Sequence, residues 1–188
     1  IGIQIGPINK IDLEKKNVRH ITVSLDASIE AIKCAIENKS QLLVTHHPLF
    51  WGPLKDLSGD LLKKVRLLTS NYVNLFIVHP NWDCAENGTN DTLIHLLGLN
   101  KISTFSHAPM TRKDIPIGRI CSPRSSLMSL KLLLEIIQDK INSKGLSYVG
   151  NLESEINKIV LISGSGGNIE FINEALKKGA DTFVTGEA

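Results

Sequence analysis

From Arg19 to His47 the chain runs RHITVSL, DAS, IEAIKCAIENKS and then QLLVTHH, and this order of patterns leaves few folds open. RHITVSL alternates and is β-branched, which suits a strand. Asp26-Ala27-Ser28 supplies helix-capping side chains, and Ile29, Ile32, Ala35 and Ile36 recur at helical spacing. QLLVT is almost wholly apolar, as in a strand covered on both faces. Strand, helix and strand at these lengths join parallel neighbours by a right-handed crossover.

The alternation continues along the chain. A second amphipathic helix is expected over 57–71, with Leu61, Leu62, Val65 and Leu68 inward, followed by a buried strand in VNLFIVHP. NDTLIHLLGL reads as a helix opened by Asn90 or Asp91 and stopped by Gly98. Residues 100–127 carry less pattern and more Pro and Ser, with IPIGRI the one strand legible there. A periodic helix is expected over 126–145, then a short strand and turn in SYVGN. IVLISGSGGNIEFINEALKKGADTFVTGE closes the chain as strand, Gly-rich turn, helix and strand. The expected fold class is α/β with two lobes, 1–100 and 101–188, each a largely parallel or mixed sheet flanked by helices.

The lobes share an internal register. SIEAIKCAIENKSQLLVTHH laid over NIEFINEALKKGADTFVTGE puts Ile29 over Ile169, Glu30 over Glu170, Ala35 over Ala175 and Thr45 over Thr185, a constant offset of 140 residues. Two amphipathic helices match by chance at apolar positions, but chance accounts less well for the shared Glu and the shared Val-Thr ending. An internal duplication is therefore expected. It makes His46-His47 and Gly186-Glu187 equivalent strand ends, where ligands of open α/β sheets gather.

Composition narrows the function classes. A formal net charge of +2, from 21 basic and 19 acidic residues, gives no reason to expect nucleic acid or an anionic membrane as partner. Three separated cysteines without a CxxC pair read as reduced cytoplasmic thiols, not a disulfide framework or zinc ribbon. No apolar run approaches the roughly 20 residues of a membrane helix. The opening IGIQIGPI lacks Met and the closing VTGEA follows an apolar run, so a longer polypeptide is expected.

Two motifs carry candidate chemistry. His46 and His47 follow an apolar strand, and Pro48 ends regular pairing and places them on a turn where they can converge. Strand capping is the plain alternative, since side chains in a strand alternate. Two imidazoles there fit one metal, or two neighbouring metals sharing a ligand. VHPNWD repeats the arrangement after the next buried strand. Its Asp83 is the oxygen donor that a mixed His/carboxylate site needs, with a turn or cap role as the alternative. His79 is read as a residue behind the ligands or a substrate contact. Glu187 is a candidate ligand, general base or substrate contact, or simply the first residue of a turn. SGSGGN (163–168) offers a phosphate cradle or a tight turn capped by Asn168. His20, His95 and His107 read as structural, and no cysteine has an activating motif.

VTHHPLFWGPLK, VHPNWDCAENGTND, GSG and GADTFVTGE, in this order, resemble the Nif-three-like family of GTP cyclohydrolase 1 type 2 homologues over essentially the whole chain. The resemblance implies a two-lobed α/β fold with a dinuclear divalent-metal site between the lobes, in a ring-shaped homohexamer. By matching positions His46, His47 and Asp83 become metal ligands. Pro80 stands where the family has Thr, and Cys84 where it has Ala. The family adds a His and a Glu from a segment beyond TGE, which this sequence does not include. The expected function is a metal-dependent hydrolase acting on a nucleotide-like small molecule through two divalent ions (zinc, iron or manganese). The alternative is a non-catalytic metal-binding or regulatory assembly protein.

Overall fold

The computed structural model describes residues 2–6, 18–106, 116–125, 127–143 and 145–187. The chain divides into two compact units, Ile1–Trp82 and Asp83–Ala188, and each is a four-stranded mixed sheet flanked by helices.

The first unit contains β1 (Gly2–Ile5), β2 (Ile21–Ser24), α1 (Ile29–Glu37), β3 (Leu42–Thr45), α2 (Gly59–Ser70) and β4 (Asn74–Ile77). Its sheet order is β1-β4-β3-β2. Strands β2, β3 and β4 are parallel, and β1 pairs antiparallel with β4. The Ser28 hydroxyl accepts from the Ala31 amide at 3.0 Å and starts α1, satisfying one of the donors that a helix N-terminus leaves open. Ile32 and Ala35 face inward, and with Leu43, Leu68, Leu75 and Ile77 they are fully buried. Each large aliphatic side chain in that set contributes about 1.5–3 kcal/mol of transfer free energy. Of the four α2 residues expected inward, Leu68 is fully buried and Leu61, Leu62 and Val65 are half-buried. A one-turn helix, α3 (Pro80–Cys84), buries none of its own residues.

The second unit contains α4 (Thr89–Leu96), β5 (Asn100–Phe105), β6 (Gly118–Ser122), α5 (Leu130–Ile141), β7 (Ile159–Ser165), α6 (Ile169–Lys177) and β8 (Thr182–Glu187). The order is β5-β6-β7-β8, antiparallel except for the parallel pair β7–β8. The apolar run in β7 is explained by burial on both faces. Ile159 and Leu161 pack with Ile94, Leu133 and Ile137, whereas Val160 and Ile162 pack with Phe105 and Ala175.

Several expectations shift. The units divide between Trp82 and Asp83 instead of after residue 100. The cause is α4, which packs against β5, β6 and β7. Helix α4 begins at Thr89 after Gly88, so Asn90 and Asp91 lie in its first turn and do not cap it. Helix α5 is shorter than 126–145. The Ser129 hydroxyl caps it by accepting from the Leu132 amide at 3.2 Å, and it ends at Asn142 in left-handed backbone, φ 53°. SYVGN forms no strand, whereas NKISTF forms β5, an edge strand exposed except at its last residue.

The shared register survives at the level of one βαβ unit. Helices α1 and α6 each span nine residues, and they start at Ile29 and Ile169, 140 residues apart. The surrounding sheets differ: β3 lies between two parallel neighbours, whereas β8 is an edge strand and β7 has an antiparallel neighbour in β6. The likeness is therefore confined to that unit, and a duplication of whole lobes is not supported.

Candidate metal centre

Parallel pairing brings the two His-containing motifs of the first unit together. Thr45 of β3 stands in register with Ile77 of β4, so the chain leaves both strands at the same edge, one step before His46 and two before His79. The turn is held from several sides. The amides of His46 and His47 both donate to the Leu25 carbonyl, at 3.1 and 2.9 Å, and Val78 N donates to the Thr45 carbonyl at 2.9 Å. Thr45 is fully buried, and its hydroxyl donates to the His47 carbonyl at 2.9 Å. Beyond Pro48, the Gln4 carboxamide accepts from the Leu49 and Phe50 amides and donates to the Phe50 carbonyl.

So held, adjacent histidines that a continuing strand would point apart converge instead. The ring centroids of His46 and His47 are 5.0 Å apart, those of His46 and His79 4.9 Å, and those of His47 and His79 5.7 Å. One ring nitrogen from each of the three lies within 4.8 Å of the others, the group among the described residues arranged to hold a metal ion. A tetrahedral centre with metal–nitrogen bonds near 2.0–2.1 Å separates its donors by roughly 3.4 Å, so small ring rotations close this set around one cation. The residues present fit a divalent metal.

Two neighbours were not legible as site residues. Asp26 Oδ1 lies 2.8 Å from His47 Nδ1. A carboxylate only accepts, so Nδ1 carries the proton and Nε2 keeps its lone pair for a metal. The only signal in the sequence was the position of Asp26 just past β2, the strand paired with β3, where it read as a helix cap. Trp51, 72 % exposed, sets its ring 5.4 Å from that of His79 at 89° and 6.2 Å from that of His47.

The remaining candidates lie in the second unit. Asp83 is the fourth residue of α3, half-buried, and its carbonyl accepts from Asn90 Nδ2 at 2.7 Å. Glu187 ends β8 with an exposed side chain, and its carbonyl accepts from Gly167 N at 3.0 Å. Of SGSGGN, Ser163, Gly164 and Ser165 end β7, and Gly166-Gly167 lead to Asn168, which caps α6 with its side chain accepting from Glu170 N at 2.8 Å. Gly166 allows close approach, because a Cβ there would lie 2.8 Å from Thr185 Oγ1. His20 and His95 are exposed and stand outside the imidazole cluster, and His107 lies outside the described residues. Burial pushes the Cys121 thiol up to about 12 and the Cys84 thiol above its usual value, so neither is an activated nucleophile.

The family model Duf34/NIF3 (NGG1p interacting factor 3) matches residues 1–188. The chain is 33% identical over 189 aligned positions to a GTP cyclohydrolase 1 type 2 homolog of Clostridium perfringens, covering 100% of this chain and 68% of that protein. It is 31% identical to the protein of that name from Clostridium acetobutylicum, covering 100% and 67%. Among solved structures, a Bacillus cereus protein related to NIF3 superposes with a TM-score of 0.82 at 21% identity, covering 100% of this chain and 76% of that one. Reduced HcgD from Methanocaldococcus jannaschii superposes with a TM-score of 0.72 at 27% identity, covering 100% and 68%. With its whole length matched by the family model and by curated relatives, the chain belongs to the Duf34/NIF3 family.

Proposed function

We propose that this chain binds divalent metal through His46, His47 and Asp83, with His79 as a further imidazole beside them, and serves a metal-dependent hydrolase acting on a nucleotide-like small molecule. The observation that carries the metal reading is the convergence of three ring nitrogens within 4.8 Å at the carboxyl ends of two parallel strands. The carboxylate behind His47 supports it, because metal-ligating histidines usually hold their second nitrogen this way. Asp83 follows His79 by four residues and adds the oxygen donor that suits a mixed His/carboxylate site. A divalent cation in such a site supplies Lewis-acid activation of water near neutral pH. The chain's own part is to fix the donors and, through Trp51, to offer an exposed aromatic surface beside them. The nucleotide-like substrate rests on the names of the curated relatives, and assembly as a homohexamer rests on the family resemblance.

Turnover of a nucleotide panel by the full-length protein, with and without added Zn²⁺, Mn²⁺ or Fe²⁺, tests the activity. Metal-dependent hydrolysis that disappears in His46→Ala supports it. Stoichiometric metal with no turnover across the panel would replace the hydrolase with a metal-binding assembly protein.

A further inference from the structure

Helix α3 is five residues long and buries none of them, too short for helix propagation alone to hold it in place. Three successive carbonyls at its C-terminal end are instead gripped by two fully buried side chains. Asn90 Nδ2 donates to the Asp83 carbonyl at 2.7 Å. Arg119 Nη2 donates to those of Cys84 and Ala85, at 3.1 and 2.8 Å. Both side chains are anchored in the second unit. Asn90 Oδ1 accepts from Ser163 N of β7 at 2.8 Å. Arg119 Nε donates to Asp91 Oδ1 at 2.5 Å, and Nη1 donates to the Gly118 and Pro116 carbonyls at 3.0 and 3.5 Å. Lys101 makes a second ion pair with Asp91. All five guanidinium N–H groups are thereby used, the full donor capacity of an arginine.

A buried ion pair is a poor device for stability alone, since apolar replacements of similar volume often do as well. It is a good device for fixing position, because a planar fork with every donor committed admits one geometry. Here the geometry is spent on the main chain of residues 83–85. We infer that Asn90, Asp91 and Arg119 form a clamp of positioning residues that sets the Asp83 carboxylate for metal binding, an inference that rests on the proposed role of Asp83. The sequence separates these residues from Asp83 by up to 36 positions, and nothing in their local pattern announces the arrangement.

The test is Co²⁺ titration of the full-length protein, reading the visible d–d band and the dissociation constant. The variants are Arg119→Lys, which keeps the charge beside Asp91 but loses the fork, and Asn90→Ala, which releases the Asp83 carbonyl together with the Ile117 carbonyl and the Ser163 amide. Leu133→Ala, in the core of the same unit, controls for lost stability. The clamp predicts Co²⁺ binding about 10- to 100-fold weaker in both clamp variants, with a shifted band, and an unchanged band in Leu133→Ala at matched fraction folded. Wild-type band and affinity in either clamp variant, once folded, would overturn the clamp alone. A wild-type protein that takes up no Co²⁺ would overturn the metal reading and the clamp with it.

Discussion

The Nδ1 atom of His47 and the Oδ1 atom of Asp26 stand 2.8 Å apart at the ends of adjacent parallel strands. This contact fixes which nitrogen of His47 is free. Asp26→Asn removes the negative charge and admits the other tautomer. The expected result is a loss of about 10- to 100-fold in metal affinity with little change in melting temperature, because both groups are solvent-accessible. Competition against a chelating dye measures the affinity, and an unchanged constant would remove Asp26 from the site.

Trp51 reports on the same place. Its ring lies against those of His79 and His47, so Co²⁺ bound by those imidazoles should quench its fluorescence. The chain has 2 tryptophans, and Trp82 adjoins the proposed ligand Asp83, so Trp82→Phe isolates the Trp51 signal, which Co²⁺ is expected to quench. Unquenched Trp51 fluorescence in that variant, with Co²⁺ bound, would place the cation elsewhere.

Acid stability follows from Asp91. Burial raises its pKa, but hydrogen bonds from Arg119, Lys101 and the Asn87 amide outweigh burial and bring it from 3.8 down to about 2. Between those values the unfolded chain takes up a proton that the folded chain refuses. Stability is therefore present above 3.8 and lost as pH falls toward about 2, by on the order of 2 kcal/mol. Asp91→Asn should flatten this limb in urea titrations at pH 2–5. The same change costs about 3–5 kcal/mol at pH 7 by leaving Arg119 without its counter-charge.

Gly166 separates the fold from the chemistry. An added Cβ would meet Ile162 Cβ at 2.7 Å and Thr185 Oγ1 at 2.8 Å, so Gly166→Ala should destabilise by about 1–3 kcal/mol. Metal content should not change. A variant of wild-type stability would show that the turn relaxes freely.

Much of this architecture is legible in the residues, because burial on both faces writes an unbroken apolar run and a capped helix writes its own boundary. QLLVT and IVLI read as inner strands and Ser28 as a cap for that reason. β5 was not legible because an exposed edge strand needs no apolar pattern. SYVGN misled because its tyrosine and valine have β propensity but lie exposed and pair with nothing regular. At the site, His46 and His47 announce themselves by adjacency. The convergence of His79 depends on the register of β3 with β4, and the contact of Asp26 on that of β2 with β3. Arg119 reads as one residue of a strand until the fold carries it to the end of α3. Register and tertiary approach are pairwise properties of distant segments, and a single pass along the chain does not show them.

His46 and His47 are the donors without which the proposed site holds no metal. Elemental analysis of the full-length protein beside His46→Ala/His47→Ala, both purified without chelator, tests this directly. The expected result is one to two equivalents of divalent metal per wild-type chain, in line with a dinuclear or partly loaded site, and loss of nearly all of it in the folded double variant. Equal metal content in the two proteins would contradict the claim.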